Sequence, residues 1–147
     1  MSKFLSIPFL IAAFSGVAMA VQGTINSSLG QKISLLSATF VVHLIGTLVA
    51  LVAVLAWREP LLKHAWSSVP WYLYLGGVLS VIIVGLVAVS IPKVGVCNAT
   101  TAIIIGQVSM AVLIDHFGCF GVSRLPWSPW QLLGIGFFAA GAKLLFR

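Results

Sequence analysis

The stretch ISLLSATFVVHLIGTLVALVAVLAW, residues 33–57, contains no Asp, Glu, Lys or Arg and decides the fold class of this chain. About 20 mostly apolar residues are enough for one helix to cross the hydrocarbon core of a bilayer. A transmembrane strand is a poor alternative, because the stretch is too long and lacks alternation of polar and apolar residues. The run ends at Trp57, and tryptophan prefers the headgroup boundary. It therefore predicts an all-α integral membrane protein.

Four further apolar runs extend this prediction to the whole chain. Of its 147 residues, 61% are hydrophobic and 7% are charged, a composition that excludes an ordinary water-soluble domain. The N-terminal run has features of a secretory signal, but we expect it to be the first membrane helix. The sequence predicts one domain, residues 1–147, of five transmembrane helices at about residues 4–26, 33–57, 71–91, 96–117 and 130–146. Prolines fall in the predicted connections, at Pro60, Pro70, Pro92, Pro126 and Pro129.

The basic residues give no preferred orientation in the membrane. Lysines and arginines in short loops normally mark the cytoplasmic side. Here they divide equally, so the chain either inserts both ways and pairs antiparallel, or weak signals or a partner protein set one orientation. Gly134 and Gly141 share one face of the fifth helix and are candidates for packing in such a dimer. The net charge of +6 comes from residues that flank the helices, so we expect no nucleic-acid partner. The basic residues are Lys3, Arg58, Lys63 and Arg124 on one side and Lys32, Lys93, Lys143 and Arg147 on the other.

Three polar residues interrupt the first two predicted helices. Gln22 and Asn26 are one turn apart on the first helix, and His43 lies close to the middle of the second. Polar groups inside a membrane are costly and usually face a cavity or a neighbouring helix. We therefore treat all three as candidate substrate-binding residues. A neutral, hydrogen-bonded His43 and a proton-relaying His43 are both compatible with the sequence.

The fourth predicted helix carries a polar stripe. Thr100, Gln107, Ala111 and Asp115 are separated by seven, four and four residues, so they lie on one slowly turning face. A helix that lines a polar cavity has this pattern, which makes Thr100 and Gln107 further candidate substrate-binding residues. The alternative is that Gln107 only hydrogen-bonds a neighbouring helix and holds it in place.

Asp115 and His116 end this helix. The carboxylate could pair with Arg124, cap the following turn, or bind a proton or cation. We consider Asp115 and His116 as gating or proton-coupling residues. The chain contains no metal-binding spacing, no phosphate-binding glycine loop and no catalytic triad, so we expect no enzyme activity, no metal and no cofactor.

Four segments resemble one family of membrane proteins. They are GVAMAVQGTINSSLG (residues 16–30), PWYLYLGGVLSVIIVG (70–85), IPKVGV (91–96) and GQVSMAVLIDHFG (106–118). In this order they are similar to the five-helix, half-size, YdcZ-like branch of the drug/metabolite transporter superfamily. The most specific are Gly106-Gln107 with the later Asp115-His116, and Gln22 with Asn26. The chain departs from the branch at Gln131, where an arginine is common.

The resemblance implies a small-metabolite transporter of the bacterial inner membrane that works by alternating access. Full-length relatives have ten helices in two inverted halves, so two five-helix chains would rebuild the whole. An antiparallel homodimer agrees with the equal charge distribution, and a paralogous half-transporter is the other possible partner. The alternative function is a non-transporting assembly or scaffold subunit, in which the polar residues only hold helices together.

Overall fold

The structure, a computed structural model, describes residues 6–58 and 68–145. These form α1 (Ile7–Ile33), α2 (Leu35–Ala56), α3 (Gly76–Val94), α4 (Val96–Phe117) and α5 (Pro129–Leu145). The short 3₁₀ helices Trp71–Leu75 and Cys119–Gly121 come directly before α3 and after α4. Residues 4, 5 and 146 of the predicted helices lie outside the described residues, as do Lys3, Pro60, Lys63 and Arg147.

The described residues confirm the prediction of an all-helical membrane protein. α1, α2, α4 and the segment Trp71–Val94 are long and apolar enough to cross a membrane, and the fifth helix, α5, has 17 residues. Bulky apolar side chains lie mostly outside, and Leu36 is 82% exposed. Small ones lie inside, and Ala38 is 3% exposed. This distribution suits helices surrounded by lipid, where close backbone packing replaces water exclusion as the source of stability.

The boundary between the first two helices differs from the predicted one. α1 continues past Asn26 to Ile33, and Ser34 alone separates it from α2. Ser34 has a φ of 89°, its N–H donates to the Gly30 carbonyl, and its hydroxyl oxygen accepts the Ser37 N–H at the start of α2. The polar stretch after Asn26 contains no proline, so its backbone hydrogen bonds can all form within the helix.

The prediction that Pro92 lies in a connection is wrong, because Pro92 lies inside α3. Proline has no N–H, so the Ala88 carbonyl four residues earlier loses its helical donor. The Ser27 hydroxyl of α1 donates to this carbonyl at 3.2 Å. α3 therefore continues through the proline to Val94, and Gly95 with a φ of 84° separates it from α4.

The chain divides into two compact units, Met1–Pro92 and Lys93–Arg147. In the first unit α1 packs along α2, and α1 also contacts α3 at Gly23, where a Cβ atom would lie 3.0 Å from Val87 Cγ1. In the second unit α4 packs along α5. Each unit carries candidate residues of its own and is described separately below.

Candidate functional site: two polar helix surfaces

A polar cleft of about 330 Å³ lies in the first unit. His43 of α2 is its central polar residue. The Nδ1 atom of His43 lies 2.8 Å from the Thr39 carbonyl oxygen, and its Nε2 atom lies 3.0 Å from the Ser80 hydroxyl of α3. Gln22 of α1 completes the polar lining from a third helix. The cleft is lined by Gln22, Val42, His43, Gly46, Thr47, Ala50, Ser80 and Val84.

The structure brings Gln22 and His43 to this cleft but not Asn26. The Gln22 amide is exposed and makes no hydrogen bond to any described residue, so its donors and acceptor are available. Asn26 is only 5% exposed and precedes Ser27, which bonds α3. Asn26 thus lies on the part of α1 that is packed within the protein, and it is not among the cleft-lining residues.

In the second unit the predicted stripe lies on one unbroken helix, α4. Gln107 is exposed, and its amide has no hydrogen-bond partner among the described residues, whereas Thr100 is half-buried. Gly134 and Gly141 line one largely apolar groove of about 360 Å³ between α4 and α5. The polar residue of α4 in that groove is Thr101 rather than Thr100.

The turn after α4 is closed by two hydrogen bonds to the backbone of Asp115 and His116. Gly118 ends the helix with a left-handed φ of 65°, and the Leu125 N–H donates to the Asp115 carbonyl at 2.8 Å. The Nε atom of Arg124 donates to the His116 carbonyl at 2.9 Å. Within the described residues no ion pair joins Arg124 to the Asp115 carboxylate. The arginine therefore fastens the loop to the helix end and leaves the carboxylate unpaired there.

The His116 side chain makes no hydrogen bond to any described residue in the turn after α4. Its Nδ1 atom is buried without a hydrogen-bond partner among the described residues. The ring also lines an apolar pocket of about 270 Å³ together with Trp127 of the loop and Leu132 of α5. The described part of the chain contains no group of three His, Cys, Asp or Glu residues that could hold a metal ion.

The comparison with protein families identifies the chain. A family described as "Putative inner membrane exporter, YdcZ" matches residues 7–144, nearly the full length. The chain belongs to this family. The resemblance to the YdcZ-like branch of the drug/metabolite transporters is thereby confirmed, and the protein is a multi-pass membrane protein. No curated protein and no solved structure matched the chain.

The YdcZ family match covers the cleft, the α4 stripe and the turn after α4, and the description of the family names an exporter and no enzyme activity. Two cleft residues, Ser80 and Thr47, were not among the predicted site residues. Both are small hydroxyl residues within apolar runs, where they can bond their own helix at little cost. One signal could have indicated Ser80. A histidine within a membrane helix needs a hydrogen-bond partner for its second ring nitrogen, and a hydroxyl residue on a neighbouring helix can supply it.

Proposed function

We propose that the chain exports a small polar metabolite by alternating access, as a dimer of two five-helix halves. Membership of the YdcZ family supports export from the cell. The observation that carries the proposal is the cleft where Gln22, His43 and Ser80 converge from three helices. Within the described residues His43 and Ser80 satisfy each other, but the Gln22 amide has no hydrogen-bond partner. An unsatisfied amide among apolar, membrane-spanning helices is costly unless it binds something, which favours a solute site over a purely structural role.

An antiparallel homodimer is the proposed assembly. Transporters built from inverted repeats bind their solute near the midplane, between the two halves. The equal numbers of basic residues on the two sides of the chain support insertion in both orientations. A second, oppositely oriented half-transporter chain would give the same architecture.

The remaining candidate residues are assigned from their burial and their hydrogen bonding. We assign Gln107 and Thr100 of α4 to the substrate pathway, since the exposed Gln107 amide has no hydrogen-bond partner among the described residues. Asn26 would support the α1 end of the pathway from its buried position. Asp115 and His116 are assigned to gating or proton coupling, because within residues 6–58 and 68–145 the Asp115 carboxylate has no ion-pair partner and the buried Nδ1 atom of His116 has no hydrogen-bond partner.

The glycines of α5 are assigned to packing between the two chains. A Cβ atom added to Gly134 or Gly141 would meet no side chain within 4 Å, and the helical backbone there lies open. Small residues allow another helix to approach closely in lipid. A helix of the partner chain could therefore seat in the groove that these glycines line.

Export can be tested in cells that overproduce the chain. Small molecules in the growth medium are compared by mass spectrometry between the wild type and the Gln22→Leu variant. We expect at least one polar metabolite to accumulate with the wild type and not with Gln22→Leu. Gln31→Leu is the matched control, because Gln31 is an exposed glutamine of the same helix outside the cleft. A scaffold subunit would leave the medium unchanged with every variant, despite equal protein levels.

The orientation can be tested independently of the substrate. Two reporters, one active only in the cytoplasm and one active only outside it, are fused separately to the C-terminus. An antiparallel homodimer requires strong signals from both fusions. A signal from only one would contradict dual topology and direct attention to an oppositely oriented partner chain.

A further inference from the structure

The contacts of His43 determine which of its ring nitrogens carries the proton. A backbone carbonyl can only accept a hydrogen bond, so the Nδ1 atom, 2.8 Å from the Thr39 oxygen, must be the N–H of the neutral ring. Nε2 is then an acceptor, because a neutral imidazole has one donor and one acceptor. The Ser80 hydroxyl at 3.0 Å must therefore donate its proton to Nε2.

This arrangement decides what the cleft offers to a solute. A hydroxyl has one proton to donate and two lone pairs, and the proton of Ser80 is used by His43. The Thr47 hydroxyl donates its proton to the His43 carbonyl at 2.8 Å. Both hydroxyl oxygens retain lone pairs and have no proton left to donate. Within the described residues that line the cleft, only the Gln22 amide can still donate, and no side chain is formally charged while His43 is neutral.

We propose that this cleft binds its solute through a protonated primary amine, and that protonation of His43 releases it. The inference rests on the proposed export function and specifies its substrate class. An ammonium group presents three N–H donors, which match a cleft rich in acceptors. A carboxylate would instead meet the oxygen lone pairs of Ser80 and Thr47. A cavity of about 330 Å³ is large enough for an amine of a few carbon atoms.

Protonation of His43 reverses the hydrogen bond to Ser80. Both ring nitrogens then donate, so Nε2–H requires the Ser80 oxygen as an acceptor. The Ser80 proton must turn away from the ring, and the ring also becomes positively charged. α1 contributes Gln22 and α3 contributes Ser80 and Val84 to the cleft. The α2 residues beside the ring, which include Thr39 and Thr47, carry no titratable side chain. His43 is thus the one titratable group among the described cleft residues, and one proton competes with one ammonium.

The test uses the purified full-length protein in detergent micelles, labelled with ¹⁵N-histidine. The His43 signals are assigned by their loss in His43→Gln. At about pH 8 we expect the neutral tautomer with the proton on Nδ1, because the contacts of the ring with the Thr39 carbonyl and the Ser80 hydroxyl require it. The probes are propylammonium, propionate and tetramethylammonium, a cation without an N–H donor. Propylammonium should shift the Nε2 signal saturably, whereas the other two should not.

Two variants and one change of pH complete the test. Ser80→Ala should weaken propylammonium binding about tenfold, the loss expected for one hydrogen bond to a charged group. Ser90→Ala is the matched control on α3, because the Ser90 hydroxyl bonds only the Leu86 carbonyl of its own helix. Lowering the pH to about 5 should raise the dissociation constant of the wild type at least about tenfold, since like charges repel strongly at short range. His43→Gln should abolish this pH dependence.

Several results would overturn the proposal. They are a proton on Nε2 at about pH 8, equal binding of propionate or tetramethylammonium, and propylammonium binding that is independent of pH in the wild type. Failure of all three probes to shift the His43 signals would also reject the amine class. Export measured in cells with the Gln22→Leu pair of variants is a separate readout, so it distinguishes a wrong substrate class from a wrong function.

Discussion

Gly23 provides the sharpest test of how α1 packs on α3. A Cβ atom at this position would lie 3.0 Å from Val87 Cγ1 and 3.5 Å from Ile91 Cδ1. Carbon atoms in favourable contact are about 3.5–4.0 Å apart, so Gly23→Ala requires the Val87 methyl group to give way by a few tenths of an ångström. Overpacking of this kind typically costs about 1–3 kcal/mol. We therefore expect Gly23→Ala to lower the free energy of unfolding.

The backbone contribution of replacing glycine must be removed from this comparison. Alanine favours a helix over glycine by about 1 kcal/mol, which would partly hide the steric cost. Gly16→Ala serves as the control, because Gly16 is in the same helix and an added Cβ there meets nothing within 4 Å. The difference between Gly23→Ala and Gly16→Ala should thus be about 1–3 kcal/mol, with Gly23→Ala less stable.

The steric cause can be isolated with a second substitution. Val87→Ala removes the Cγ1 atom that the new methyl group would meet, so Gly23→Ala should cost much less in that background. The interaction energy of the double-mutant cycle should be about 1–2 kcal/mol. Unfolding by SDS in mixed micelles, followed by circular dichroism, measures the four proteins of the cycle and the Gly16→Ala control. Equal stability of Gly23→Ala and Gly16→Ala, or a penalty that Val87→Ala does not relieve, would refute the described approach of the two helices.

Two other features of the helices give predictions of their own. Ser27→Ala removes the hydrogen bond to the Ala88 carbonyl, which should cost about 0.6–1.7 kcal/mol. The cost should shrink when Pro92→Ala restores a helical donor for that carbonyl, and an unchanged cost would contradict this explanation. Gly118→Ala places a side chain at a φ of 65° and 3.2 Å from the following loop, so it should destabilise the protein more than Gly95→Ala does. Gly95 has a φ of 84° but an open surrounding, so its substitution should cost about the 1–2 kcal/mol of the left-handed backbone alone. The same unfolding assay measures these variants, and equal losses at the two glycines would argue against crowding at Gly118.

The helical fold could be predicted from the sequence because each apolar run is long and lacks alternation. The ends of the helices were less predictable. Hydropathy marks where the apolar residues stop, but α1 continues through the polar residues after Asn26 because nothing there breaks its backbone bonds. Pro92 shows the opposite error, since a proline inside a helix is tolerated where another helix satisfies the freed carbonyl.

The candidate site was predictable in its residue types and only partly in its contacts. Gln22 and His43 are conspicuous because polar side chains in apolar runs are costly. Their meeting in one cleft, with Ser80 from α3, depends on how three helices pack, and the period of one helix contains no such information. For the same reason the sequence could not show that Asn26 is buried and Gln22 is exposed, because both residues lie on one face of α1.

Among the described residues, two side-chain hydrogen bonds tie α3 to its neighbours, and they differ in a way that bears on transport. Ser27 bonds the Ala88 carbonyl, which accepts at any pH, and Gly23 packs closely against the same part of α3. Ser80 bonds the ring of His43, and the direction of that bond changes when the ring is protonated. Ser80 and Ala88 are about 12 Å apart along the helix axis, at 1.5 Å per residue. We therefore expect any movement that opens the cleft to displace the Ser80 end of α3 around a contact that stays closed near Ala88.

Disulfide cross-links between α2 and α3 beside Ser80 should then block export, whereas cross-links between α1 and α3 beside Ala88 should permit it. Export that survives the first cross-link and is lost with the second would place the moving end of α3 at Ala88 instead.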